Sequence, residues 1–177
     1  MTSPKPLAGS AFPALNIPVL TGGKRALSKP KDGFDWQLIV AYRGKHCPIC
    51  TRYLQELNAA LPGLNAIGVD VIAISADDED RAGGHMDEVQ PLYDVGYDLS
   101  VPQMQALGLY ISGPRNGMNV ERPFAEPGLF VVNAEGDLQL VDISNVPFAR
   151  PDLQSILRGL TFLRGLTDPF PVNGSYV

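Results

Sequence analysis

Two periodicities alternate along the chain. Residues 38–42 and 69–75 are short, nearly continuous apolar runs of the length and β-branched character expected of strands covered on both faces. Between them the apolar positions Cys50, Leu54, Leu57, Leu61 and Leu64 recur every three or four residues, the stripe of an amphipathic helix. That helix is predicted to start at Cys47 or Pro48, proline being favoured at the first helical position, and to end or bend at Pro62-Gly63. After the second strand, the acidic stretch Asp77 to Asp80 suits a helix start, although Gly83-Gly84 weakens the helix it would open. Residues 95–98 read as a short strand, and Pro102 to Leu107 as a short helix stopped at Gly108. Residues 129–132 and 138–143 form a hairpin across 133–137. A last helix begins near Pro151-Asp152, with Leu153, Ile156, Leu157, Leu160 and Leu163 on one face. Residues 12–20 alternate apolar and other positions, with prolines that suit an edge strand.

The order is an N-terminal arm or hairpin, then β-α-β-α, a short helical insert, and β-β-α. A parallel crossover closed by an antiparallel hairpin gives an α/β fold, a mixed central sheet flanked by helices. The 177 residues suit one domain, 1–177, with a core of about 7–165 and no linker-like division. Prolines and glycines gather in residues 1–33, 108–128 and 165–174, marking loops and a tail from Thr167 to Val177 that packs on its own domain or on a partner subunit.

A net charge of −5 argues against nucleic acid or an anionic membrane as partner. The chain has no apolar run long enough to span a bilayer, and its start, Met1-Thr2-Ser3-Pro4, lacks the pattern of a signal peptide. The expected location is a reducing cytoplasm, where paired cysteines are more often catalytic than structural.

The only two cysteines stand in Cys47-Pro48-Ile49-Cys50, after a strand and at the start of a helix. There, unpaired backbone N–H groups and the positive end of the helix dipole favour a thiolate at Cys47. Cys50, one turn inside, is placed to close a short disulfide ring. Two other readings stand beside the redox one: buried fillers, or half of a zinc site. The second would have to recruit His46 and His85 at a spacing foreign to zinc fingers. Cys47 is therefore the expected nucleophile and Cys50 the resolving thiol, without metal or organic cofactor. Arg43, Lys45 and His46 are cations that would deepen the effect if they point inward. For Arg43 and Lys45 the plainer reading is a solvated surface charge. Trp36 reads as a packing anchor, and Arg115 and Arg122 lie in the Gly/Pro-rich insert.

Strand, Cys-x-x-Cys and helix in this order resemble the thioredoxin-like fold. Residues 9–15, 41–50, 126–133 and 146–152 together resemble the peroxiredoxin-like branch of the alkyl hydroperoxide reductase and thiol-specific antioxidant (AhpC/TSA) group. The dithiol segment carries most of that likeness. The resemblance implies an antioxidant oxidoreductase with a redox-active disulfide. It also implies a cis Glu126–Pro127 bond that presents backbone to substrate, with His46 and Arg43 as further positioning residues. The chain departs from it in two places: Gly44 replaces the threonine or serine three residues before the cysteine, and Pro127 replaces an arginine before the later strand. Thioredoxin's buried aspartate is Ala41 here, and Pro48-Ile49 is closer to the Pro-Tyr of glutaredoxins than to Gly-Pro.

The leading expectation is thus a thiol–disulfide oxidoreductase with at most weak peroxide reduction. A thiol peroxidase is the alternative, and a redox-inactive binding module a third. Cys47 attacks a disulfide or peroxide substrate, Cys50 resolves the product, and an external thiol, from a thioredoxin or glutathione system, reduces the pair. A homodimer is compatible with this reading.

Overall fold

The computed structural model describes residues 5–176, so the signal-peptide reading of Met1 to Pro4, and Val177 of the tail, lie outside the described residues. Its centre is a five-stranded sheet in the order β5-β4-β3-β8-β9. Strands β3 (Trp36–Ala41), β4 (Val69–Ile74) and β5 (Asp94–Gly96) run parallel, whereas β8 (Gly128–Val132) and β9 (Leu138–Ile143) continue the sheet antiparallel. This is the mixed sheet expected from the pattern.

β3 is central, and its side chains alternate between two cores. Leu38 and Val40 face a cluster built with α1 (Pro48–Ala66), α2 (Glu79–Val89) and α4 (Leu153–Arg164). Ile39 and Ala41 face a second cluster holding Phe12, Met104 of α3 (Val101–Ala106) and Phe124. Strict alternation of buried residues on both sides explains why the run reads as continuously apolar.

The N-terminal run is shorter than its alternation suggests. Its one strand, β1 (Asn16–Pro18), pairs with β2 (Lys24–Ala26) in a two-stranded ribbon, and a single bridge from Val19 to Gly96 ties the run to the edge of the main sheet. A second small ribbon, β6 (Ile111–Ser112) with β7 (Phe124–Ala125), brackets the Gly/Pro-rich insert. Pro62 neither ends nor breaks α1, which continues for a further turn to Ala66. A proline inside a helix costs about 3 kcal/mol. Burial of Leu54, Leu57, Leu61 and Leu64 returns roughly 1.5–3 kcal/mol each, so packing outweighs the local penalty. Trp36 is indeed a packing residue, with the Arg164 guanidinium 4.9 Å from its ring centre. No helix among the described residues is long and apolar enough to cross a membrane.

Candidate active site

The C-terminal end of β3 runs through Tyr42, Arg43 and Gly44 and turns into α1. Gly44 makes that turn possible: its φ is +121°, and a Cβ there would stand 2.7 Å from both carboxylate oxygens of Asp77. Asp77, the first residue of the acidic stretch and just ahead of α2, is buried. It accepts the backbone N–H of Lys45 at 2.7 Å and pairs with Arg81, while the next residue, Asp78, caps α2. The loop is thus clamped from below, and the hydroxyl that peroxiredoxins place at this position has no room here.

Cys47 is the N-cap residue of α1, and its sulfur does the capping: it accepts the backbone N–H of Cys50 at 3.3 Å. The Cys50 thiol donates to the same sulfur at 2.7 Å, and both cysteines are free. The hydrogen bond from the Cys50 thiol is the main reason that the Cys47 pKa falls to about 6; the Cys50 amide, Arg43 and Arg150 add to it against the cost of burial. Cys50 moves the other way, far above its ordinary value, because burial and the neighbouring Cys47 disfavour a second thiolate. The two environments thus differ in sign, one favouring a thiolate at Cys47 and the other a protonated thiol at Cys50. Cys47 is nevertheless almost enclosed, with only 2% of its surface open.

Arg150 is the residue that sequence reasoning passed over. It lies in the strap between β9 and α4, and its Nη2 stands 2.9 Å from the Cys50 sulfur and 4.0 Å from that of Cys47. Its Nε donates to the Pro147 carbonyl at 2.6 Å, and its guanidinium lies 5.2 Å from the centre of the Tyr53 ring. Tyr53 in turn donates its hydroxyl to the Pro151 carbonyl at 2.8 Å, tying the strap to α1. Arg150 Nη1 is buried with no protein partner. The stripe on α4 showed that this helix docks on the sheet; the arginine just ahead of it, flanked by Pro147 and Pro151, was the available signal.

The other expected residues separate. Arg43 points inward, next to Cys47, so it is not the solvated charge of the plainer reading. His46 sets its ring edge-on to Phe124, with centres 4.5 Å apart. Burial lowers its pKa, so it is a neutral packing group and not a cation for the thiolate. Lys45 and Arg115 are exposed, and Arg122 is engaged with Asp98 and Asp78. Pro127 lines a small cavity with Tyr53, Gly128 and Arg150. No cis peptide bond occurs among the described residues, so the Glu126–Pro127 bond is trans, contrary to the expectation drawn from resemblance. At the start of β8, Gly128 leaves room for the Leu109 side chain, which a Cβ there would run into.

A cleft of about 460 Å³, lined by Tyr110, Asp142, Ile143, Asn145 and Pro151 among others, opens onto Arg150 from outside. What the arrangement offers chemically is an acidified Cys47, a protonated thiol in contact with it, and guanidinium donors beside a nearly enclosed sulfur.

No curated protein sequence matches the chain. Among solved structures, a mutant of the peroxiredoxin 6 of Arenicola marina is similar with a TM-score of 0.76 and 18% identity, covering 94% of this chain and 78% of that one. A peroxiredoxin-like protein from Aquifex aeolicus gives 0.74 and 17%, covering 91% and 90%. Mycobacterium bovis AhpC gives 0.72 and 15%, covering 92% and 94%. At such identities the likeness establishes the thioredoxin-like fold alone. The AhpC/TSA family pattern itself matches residues 8–141, across the dithiol, the clamped loop and the strands up to β9, and the chain therefore belongs to the AhpC/TSA family.

Proposed function

We propose that the protein is a dithiol oxidoreductase whose first oxidant is a small hydroperoxide. The observation that carries this reading is Arg150, a guanidinium set on both sulfurs in a site that leaves Cys47 almost no open surface. With 2% of its surface open, that sulfur offers little room to a protein disulfide, and a hydroperoxide is the smaller reactant. The Cys47 thiolate attacks one peroxide oxygen, forming the S–O bond as the O–O bond breaks. The departing oxygen takes a proton and leaves as water or an alcohol. Cys50 then attacks the sulfenic sulfur, its proton leaving with the hydroxyl as water, and the Cys47–Cys50 disulfide remains. Two equivalents of an external thiol restore the dithiol and leave as a disulfide. A reducing compartment such as the cytoplasm suits that last step.

Arg150 and Arg43 occupy the role of the donors absent at Gly44 and Pro127, stabilising charge as the O–O bond breaks. Disulfide exchange is the second reading, favoured by the missing hydroxyl and the Cys-Pro-Ile-Cys sequence. Stopped-flow oxidation of the reduced protein by hydrogen peroxide, cumene hydroperoxide and glutathione disulfide decides between them. The proposal requires either peroxide to outpace the disulfide. The reverse order, with peroxide no faster than with a free thiolate, transfers the assignment to disulfide exchange.

A further inference from the structure

Arg43 is held by a buried carboxylate that no sequence motif marks. Glu126, 4% exposed, lies just ahead of Pro127. Its Oε1 accepts the Ser112 hydroxyl at 2.6 Å, and its Oε2 faces Arg43 Nε at 3.1 Å as an ion pair out of hydrogen-bond alignment. The Glu126 backbone is fixed as well, its N–H donating to the Tyr110 carbonyl at 2.8 Å. The guanidinium of Arg43 is seated 5.0 Å from the centre of the Phe124 ring, in the residue pair that forms β7. Ser112 ends β6 and Phe124 begins β7, so one small ribbon supplies both the hydroxyl that orients the carboxylate and the ring that seats the cation.

We infer that Glu126 is a positioning residue: with Ser112 it holds Arg43 against Cys47, and it balances the second guanidinium that the site brings to one thiolate.

The groups facing Cys47 are few. Cys50 comes from α1, Arg43 from the segment after β3, and Arg150 from the strap before α4. With Glu126 they form a set of two cations and two anions while Cys47 is a thiolate. A buried guanidinium beside Cys47 with no counter-ion would be costly, and a neutral acceptor could not offset its charge. The arrangement matters for the proposed peroxide chemistry and rests on that reading for its purpose, but its test does not use peroxide.

A bystander carboxylate and a positioning one predict opposite signs. Removing a bystander's negative charge stabilises the thiolate and lowers the pH at which Cys47 ionises. In Glu126→Gln the amide oxygen keeps the Ser112 hydroxyl while the amide NH2 meets Arg43 Nε, donor against donor. Arg43 is displaced, and ionisation moves up. The experiment is the pH profile of iodoacetamide alkylation at Cys47, followed by peptide mass spectrometry, in Glu126→Gln, Arg43→Gln and the double variant. Expected is a rise of about one unit in Glu126→Gln, read as a roughly fivefold slower alkylation at pH 6. Arg43→Gln should match it, and the double variant should add nothing further. A fall, no change, or additive shifts overturn the inference. Should Glu126→Gln not fold, Ser112→Ala decides: a smaller rise supports it, and no rise overturns it. Because alkylation needs no peroxide, slow peroxide turnover beside a raised midpoint would refute only the functional proposal.

Discussion

Replacing Cys50 by alanine should cost Cys47 much of its acidity, and the structure says how much. Cys50 supports the thiolate twice, through its backbone N–H at 3.3 Å and its S–H at 2.7 Å. The substitution removes only the second. A hydrogen bond to a charged group contributes about 1.5–3 kcal/mol, and 1.36 kcal/mol is about one pKa unit, so Cys47 should move from about 6 to about 7–8. At pH 7 the thiolate fraction then drops from about 90% to about 25% for a midpoint near 7.5. Cys50→Ser retains an O–H donor at the same place and should stay near the native midpoint. The assay is thiolate absorbance at 240 nm against pH, cross-checked by the alkylation rate. A Cys50→Ala midpoint at or below 6 would refute the reasoning, for the amide and the two guanidiniums would then suffice by themselves.

Arg150→Met should preserve the packing against Tyr53 while removing the donor on both sulfurs; a loss of about 2.7–4 kcal/mol, or roughly 10²–10³ in the rate of peroxide oxidation, is expected by stopped flow. Gly44→Thr restores the hydroxyl familiar in the group, yet it should destabilise by about 1–3 kcal/mol and give no faster oxidation, because φ is +121° and the Asp77 carboxylate fills the space. A thermal melt and a rate measurement on that variant check both parts. Finally, the native state holds Cys47 at about 6 against an ordinary value of 9.0, so the unfolded chain binds more protons between those values. The reduced protein should therefore gain stability relative to Cys47→Ser as pH rises from 6 to 9, by up to about 4 kcal/mol, and lose that gain as pH falls through 6; denaturant titrations at several pH values measure it.

Local rules recovered whatever local physics decides. Pro48 at the first turn, the leucine stripe of α1 and the two apolar strands pointed to the correct elements because burial and helix capping are short-range in sequence. Most of the failures involve partners distant along the chain. Pro62 carries a real penalty, and only the cores packed around Leu61 and Leu64 show why the helix tolerates it. Arg150 is a hundred residues from Cys50 and reaches it because α4 docks beside α1. Asp77 looked like part of a solvated acidic run until the turn at Gly44 brought the Lys45 amide onto it. Pro127 was assigned its geometry from relatives, and the backbone of this chain differs there.

The contact between the two thiols also bears on how such a catalyst wears out. A sulfenic acid faces a choice between a neighbouring thiol, which leads back into the cycle, and a second oxidant, which carries sulfur to the irreversible sulfinic state. Here the resolving sulfur is in place before the oxidant arrives, 2.7 Å away and on the same rigid helix turn, so no unwinding delays capture. In the proposed cycle, excess oxidant would then meet a closed disulfide rather than a sulfenate. On the proposed chemistry, heavy oxidant load would leave the protein waiting as a disulfide that an external thiol can reopen.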